Sequence, residues 1–223
     1  MKIIFWIRNI LLLFFILSLF LVILYKYVPV RYTPSMFVKN MEQLTSGKKM
    51  YLNCRWKNLR EISPHLIQAV IASEDYLFLI HNGFDSGKTN MNQGARILYV
   101  NDVTISQQTA KNVFLFPVKN NFNKLLEAYF TILIEFVWGK ARIMEIYLNT
   151  VEMRDALFGA EAVAQKNFCI SAGELEAPQA ALIAACLVNS TELNPEKPTT
   201  YLLRRQAKIM GIMEKMREIR WDK

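Results

Sequence analysis

Glu74 and Asp75, within the stretch Ser73-Glu-Asp-Tyr-Leu-Phe-Leu-Ile-His-Asn-Gly-Phe-Asp85, are the residues of this chain best placed to move a proton. At helical spacing Ile67, Ile71, Glu74, Phe78 and His81 share one face, and Glu74 is the lone carboxylate in that apolar and aromatic stripe. Such a group either points into a cleft or loses part of its water, and desolvation raises a carboxylate's pKa toward that of a working general base. Asp75 lies about 100° further round the helix. The same pair read blandly is an acidic patch on a solvated helix face, and the stretch alone leaves both readings open.

Two further segments carry polar chemistry. Thr104-Ile-Ser-Gln-Gln-Thr-Ala-Lys-Asn112 is dense in amides and hydroxyls between hydrophobic flanks, a composition costly to bury unless it binds something polar. Glu127 stands on the polar face of a strongly amphipathic segment, where it is either functional or simply solvated beside Lys124, an i,i+3 pair worth a few tenths of a kcal/mol.

The elements that must position these groups are almost all helical. Ser63-Pro64 is a good helix start, and Gly83 is expected to end the helix that carries Glu74. Before it, Val28 to Pro34 reads as an extended linker, Ser35 to Leu44 as a short helix and Lys48 to Trp56 as a possible strand. After it, a polar gap from Asp85 to Gln93 precedes an apolar segment, Ala95 to Val100, suited to a mobile flap. The periodicity then predicts helices over Asn121 to Trp138, Lys140 to Asn149, Phe158 to Phe168, Glu176 to Leu187 and Thr199 to Arg220. The helix from Asn121 is expected to bury Phe122, Leu125, Leu126, Tyr129, Phe130, Leu133 and Val137. Ser171-Ala-Gly-Glu174 has the capping-box pattern of a short turn. Alternating strand patterns are scarce, so the fold class is mainly α.

From Asn9 to Tyr25 the chain is apolar, and with Ile3 to Ile7 it is long enough to cross a hydrocarbon core of ~30 Å if Arg8 snorkels to the interface. No small-x-small site follows, since Tyr25-Lys26-Tyr27 is bulky, so an uncleaved anchor is favoured over a signal peptide. This divides the chain into an anchor, residues 1–28, and a domain, residues 29–223. Lys2 and Arg8 nearly balance Lys26 and Arg31, and the terminal amine tips the orientation toward an inside, cytoplasmic N-terminus. The formal charge of +8 is scattered rather than clustered, which suits work beside anionic lipid or on a phosphate-bearing substrate. Nucleic acid is disfavoured, because no basic helix, aromatic-basic interleaving or zinc spacing is present. Cys54, Cys169 and Cys186 show neither metal-ligand nor disulfide spacing.

From Tyr32-Thr-Pro-Ser-Met36 to the last helix the chain resembles the monofunctional biosynthetic peptidoglycan glycosyltransferases, glycosyltransferase family 51. Glu74-Asp75, Phe78, His81 and Gly83-Phe84-Asp85 match the family's first motif, and Thr104 to Asn112 the second. Lys124 with Glu127-Ala-Tyr resembles the third, and Arg142-Ile143, Glu145 and Tyr147-Leu-Asn149 the fourth; Phe158-Gly159 and Glu161-Ala162 continue in register.

The resemblance implies a lysozyme-like helical domain behind a single anchor, in the inner membrane with its catalytic part on the periplasmic side. It implies an enzyme that polymerises lipid II with inversion and releases undecaprenyl pyrophosphate, in cell wall synthesis. Glu74 would be the base, and Glu127 the second catalytic carboxylate, on the donor side. Asp75, His81, Thr104, Gln107, Gln108, Lys111, Asn112, Lys119 and Lys124 would bind substrate, the lysines and amides serving the pyrophosphate. A divalent cation, Mg or Mn, bridging phosphate oxygens is compatible with that chemistry, and no organic cofactor is implied. Partners would be lipid II, the growing glycan, the membrane and other cell-wall synthesis proteins.

Several positions depart from the family pattern. Asn101-Asp102-Val103 stands where a Gly-Gly-Ser or Gly-Ala-Ser turn is usual, Lys119 and Asn123 replace arginines, Met153-Arg154-Asp155-Ala156 replaces a glycine-bearing stretch, and Asn82 a frequent histidine. They keep a second reading open, a catalytically impaired anchored relative that binds glycan or wall-synthesis partners. A lytic enzyme on a similar fold is the least favoured, since it has no use for pyrophosphate-binding lysines.

Overall fold

The computed structural model describes residues 2–47, 55–85, 103–217, 219 and 221. The described part is mainly α-helical. The elements are α1 (Lys2–Tyr27), α2 (Pro34–Thr45), α3 (Pro64–Glu74), α4 (Ile105–Phe114), α5 (Asn121–Val137) and α6 (Gly139–Thr150). A two-stranded antiparallel hairpin, β1 (Glu152–Arg154) and β2 (Leu157–Phe158), then leads to α7 (Ala160–Phe168), α8 (Ala177–Cys186) and α9 (Thr200–Met213). Short 3₁₀ turns lie at Leu59–Glu61, Ala172–Glu174 and Leu187–Asn189.

The core is built around α3. Leu66, Ile67, Ala69, Val70, Ile71 and Ala72 are all buried, so the helix is apolar nearly all round and must be surrounded. It packs on α8, where Ala180, Ala181, Ala184 and Ala185 are 0% exposed and permit close approach, and on α9. On the other side α4 packs against α5 and α6. Ser63 caps α3 by accepting from the His65 amide, with Pro64 in the first turn as the sequence predicts. The expected short helix after the linker is α2, and the capping box at Ser171 closes one 3₁₀ turn.

Three expectations are corrected. The helix bearing Glu74 stops at Glu74 rather than at Gly83, because the Asp75 carboxylate finds stronger partners off the helix, the Ile105 amide and the His81 ring. In α5 Phe130 is buried and Leu126, Tyr129, Leu133 and Val137 pack half-buried against the core as expected, but Phe122 and Leu125 are 65% and 67% exposed, and Thr131 and Ile134 are buried instead. Ile132 and Phe136 are exposed as well, so α5 carries a second, outward apolar face beside the one that meets the core. The last helix ends at Met213, not Arg220, and the chain then turns so that Met216, Ile219 and Trp221 lie against the core. The strand expected at Lys48 to Trp56 lies outside the described residues up to Cys54, and the flap at Ala95 to Val100 lies wholly outside them, as do Asn101 and Asp102.

Helix α1 includes a 24-residue stretch, Ile4–Tyr27, long and apolar enough to cross a membrane. It lies against α5, with Val22 0% exposed.

Candidate functional site

Glu74 is the last residue of α3 and is 3% exposed; Asp75, one residue on, is 4% exposed. Their roles separate at once. Both Asp75 oxygens face the His81 Nε2, at 3.0 and 2.9 Å, and Oδ2 also accepts the Ile105 amide at 2.9 Å. That amide belongs to the first turn of α4, where unpaired N–H groups and the helix dipole favour an anion. The His81 Nδ1 accepts the Gly83 amide at 3.0 Å, which assigns the ring proton to Nε2 and makes it the donor to Asp75. Asp75 and His81 therefore tie the end of α3 to the start of α4.

The turn between them requires Gly83. Its φ is +92°, and a Cβ there would lie 2.8 Å from Thr131 Cγ2. Its carbonyl accepts the Thr104 hydroxyl at 2.6 Å, and the same oxygen of Thr104 caps α4 by accepting the Gln107 amide at 3.1 Å. Thr104 is 1% exposed, its hydroxyl engaged on both sides.

The adjacent glutamines of α4 each clip one carboxylate. Gln107 Oε1 accepts the Thr104 amide at 3.1 Å in a capping box, leaving Nε2 to donate to Glu127 Oε1 at 3.4 Å. Gln108 Oε1 accepts the Tyr147 hydroxyl at 3.4 Å, leaving Nε2 to donate to Glu74 Oε2 at 3.4 Å. Burial first, then the charges of Glu74 and Asp75, push the Tyr147 hydroxyl well above the usual phenol value, so it remains a donor.

Two of the cavities that border α4 are lined largely by polar residues. One of about 610 Å³ is lined by Val103, Gln107, Lys111, Lys119, Lys124 and Glu127 among others, and one of about 340 Å³ by Gln108, Lys111, Asn112 and Glu152 among others. Lys111 belongs to both. Burial raises the Glu127 carboxyl above its ordinary value, opposed by the charges of Lys111 and Lys124 and by the Gln107 amide. Among the described residues no three His, Cys, Asp or Glu side chains gather to hold a metal, and Glu127 is the single carboxylate lining the larger cavity.

The sequence missed two supports. Tyr147 has its only signal in the motif around Arg142 and Glu145. Glu135 accepts from the Ser106 hydroxyl at 2.5 Å and the Lys140 ammonium at 2.6 Å, and Lys140 lies 4.7 Å over the Phe78 ring; this joins α4, α5 and α6 behind the site and left no pattern in the chain.

Residues 39–214 match the model of the transglycosylase family. A biosynthetic peptidoglycan transglycosylase of Bacteroides thetaiotaomicron is 45% identical over 222 residues, 95% of this chain and 87% of that protein. Proteins of the same name from Bdellovibrio bacteriovorus and Caulobacter vibrioides are 43% and 41% identical, over 92% and 91% of this chain and 84% and 89% of theirs. The chain belongs to the transglycosylase family.

Three positions where this chain departs from the family pattern have a structural account. Asn123 donates its amide to the Phe116 and Val118 carbonyls at 2.9 and 2.8 Å, so it holds the segment before Lys119. In the hairpin, Arg154 bonds Asn167 and Glu196, and Ala156 takes φ +55°, a conformation a glycine would adopt freely. Val103 lines the larger cavity, and its carbonyl lies 3.4 Å from Gln108 Nε2.

Proposed function

We propose that this protein is a peptidoglycan glycosyltransferase that polymerises lipid II. The reducing-end carbon of a lipid-pyrophosphate-linked glycan is joined to the 4-hydroxyl of the next disaccharide, with inversion and release of undecaprenyl pyrophosphate. The observation that carries this reading is the pair of neighbouring glutamines, each clipping one buried or half-buried carboxylate, with Lys111 bordering the cavity on either side.

Glu74 takes the proton of the acceptor hydroxyl as its oxygen bonds to the anomeric carbon, and the carbon–phosphate oxygen bond breaks with its electron pair leaving on the pyrophosphate. Gln108, turned by Tyr147, keeps the Glu74 carboxylate aimed. Lys111, Lys119 and Lys124 with Gln107 receive the leaving group, and Glu127 orders the donor side. Asn112 borders the acceptor side, while Asp75, His81 and Thr104 act as positioning residues. A divalent cation, Mg or Mn, would be held by Glu127 together with substrate phosphate oxygens, and the chemistry it would supply is charge neutralisation.

A substrate tethered to lipid also gives the anchor its use, since the reaction is then confined to the bilayer surface. The reading places the chain once across the inner membrane with the catalytic domain on the periplasmic side, among other cell-wall synthesis proteins. Full-length protein incubated with labelled lipid II, with and without Mg or Mn, should yield polymer on a gel. No product would favour an impaired binding relative, and shortening of preformed glycan would make it a lytic enzyme.

A further inference from the structure

Helix α1 meets the domain along one stripe whose contacts are polar as well as apolar. Ser18, Val22 and Tyr25 follow helical spacing on one face. Ser18 is 3% exposed and its hydroxyl lies 2.7 Å from the Tyr129 hydroxyl on α5. The Trp138 indole donates to the Val22 carbonyl at 2.6 Å. At the helix end, where carbonyls lack helical partners, Arg142 donates to the Tyr25 carbonyl from Nε at 3.1 Å and from Nη2 at 2.7 Å, and to the Val28 carbonyl at 2.7 Å. A guanidinium at a helix C-terminus also meets the negative end of the dipole.

The same guanidinium pairs through Nη1 with Glu145, whose other oxygen accepts the Leu59 amide at 2.9 Å at the head of the turn leading into α3. Tyr147, which orients Gln108 on Glu74, lies on the same helix as Arg142 and Glu145. Helix α6 thus holds the end of the anchor in its first turns and the aim of the proposed base near its last.

We infer that Arg142 is a positioning residue that locks the anchor to the catalytic domain, so that the cleft is held at one height and tilt over the bilayer and favours substrate still seated in the membrane. This rests on the glycosyltransferase reading above. A flexible tether would need none of these bonds. A docked helix makes use of them, because polar groups of the domain that face a span must find partners where water is absent.

The test uses full-length protein in lipid vesicles and two substrates, long-chain lipid II in the same vesicles and a short-chain, water-soluble analogue added from solution. Arg142→Met should lower kcat/KM on the membrane-held substrate about tenfold, chiefly through KM, and change it less than about twofold on the soluble one. Arg142→Lys, which keeps charge without the fork, should fall between. Ser18→Ala with Tyr129→Phe, which removes another bond between the anchor and α5, should show the same substrate split to a smaller degree. Spin labels at Cys169, which is exposed, and at Ile10→Cys, in a Cys54→Ser background, supply a readout independent of activity. The distance distribution should be narrow in the parent and broad in Arg142→Met. Equal losses on both substrates, or an unchanged distribution, would overturn the proposal. Should the parent polymerise neither substrate, the function reading fails, while the distance distribution still decides whether Arg142 locks the anchor.

Discussion

Gln108 stands between Tyr147 and Glu74, taking the tyrosine hydroxyl on its carbonyl and presenting its amide nitrogen 3.4 Å from the carboxylate. An amide held at only one end can turn over, and one held at both cannot without losing a bond. Tyr147→Phe should therefore leave the carboxylate in place but release Gln108. Turnover on lipid II is expected to fall several-fold, with a stability loss of about 1 kcal/mol from one buried hydrogen bond, read by urea unfolding. Unchanged turnover would show that Glu74 needs no such support.

How much of this was legible in the sequence follows from the range of the interactions. Helix starts such as Ser63-Pro64 and the capping box at Ser171 are local and could be read directly. The burial of Glu74 could be read from Ile67 and Ile71 on its helix face, although Phe78 and His81, expected on the same face, lie beyond the helix end. What could not be read was set by distant residues. Asp75 ends α3 because Ile105, 30 positions later, offers it an amide. Phe122 and Leu125 fit a core-facing pattern yet lie outward, because periodicity identifies an apolar face without saying whether protein or lipid covers it. Asp75 and His81, matched as substrate-binding residues, face each other, and Thr104, matched likewise, bonds the Gly83 carbonyl and the Gln107 amide at the start of α4.

Gly83 gives a test of the turn beneath the site. Gly83→Ala adds a Cβ in a left-handed conformation, at φ +92° and 2.8 Å from Thr131 Cγ2, and should cost about 1–3 kcal/mol by urea unfolding. Adding Thr131→Ser removes that methyl and should recover part of the loss but not the backbone strain.

Asn123 distinguishes a lost cation from a gained brace. The family pattern alone suggests that Asn123→Arg restores a charge and speeds the reaction. The two carbonyl bonds of Asn123 lead to the opposite expectation: the variant should lose about 1 kcal/mol and turn over more slowly, because the segment bearing Lys119 is released. Faster turnover on lipid II would show that the missing charge matters more than the brace.

Glu127 makes a prediction about pH. Burial raises its carboxyl in the folded chain, so the folded state binds the proton more tightly than the unfolded one. Its contribution is present below the unfolded value of 4.5 and is lost as pH rises through the folded value. Glu127→Gln mimics the protonated form at every pH. The variant should match the parent's Tm below the unfolded value and exceed it at neutral pH, while losing glycosyl transfer. A Tm lower than the parent's at pH 7 would contradict this.

Glu74→Gln decides whether this carboxylate is the base, because the amide keeps the shape and the contact with Gln108 but cannot take a proton. Measured on labelled lipid II with full-length protein, turnover should fall ~10²-fold or more, the usual contribution of a positioned general base, while binding of lipid II and the unfolding midpoint stay near those of the parent. A variant that retained more than about a tenth of the parent's turnover would show that Glu74 is not the base.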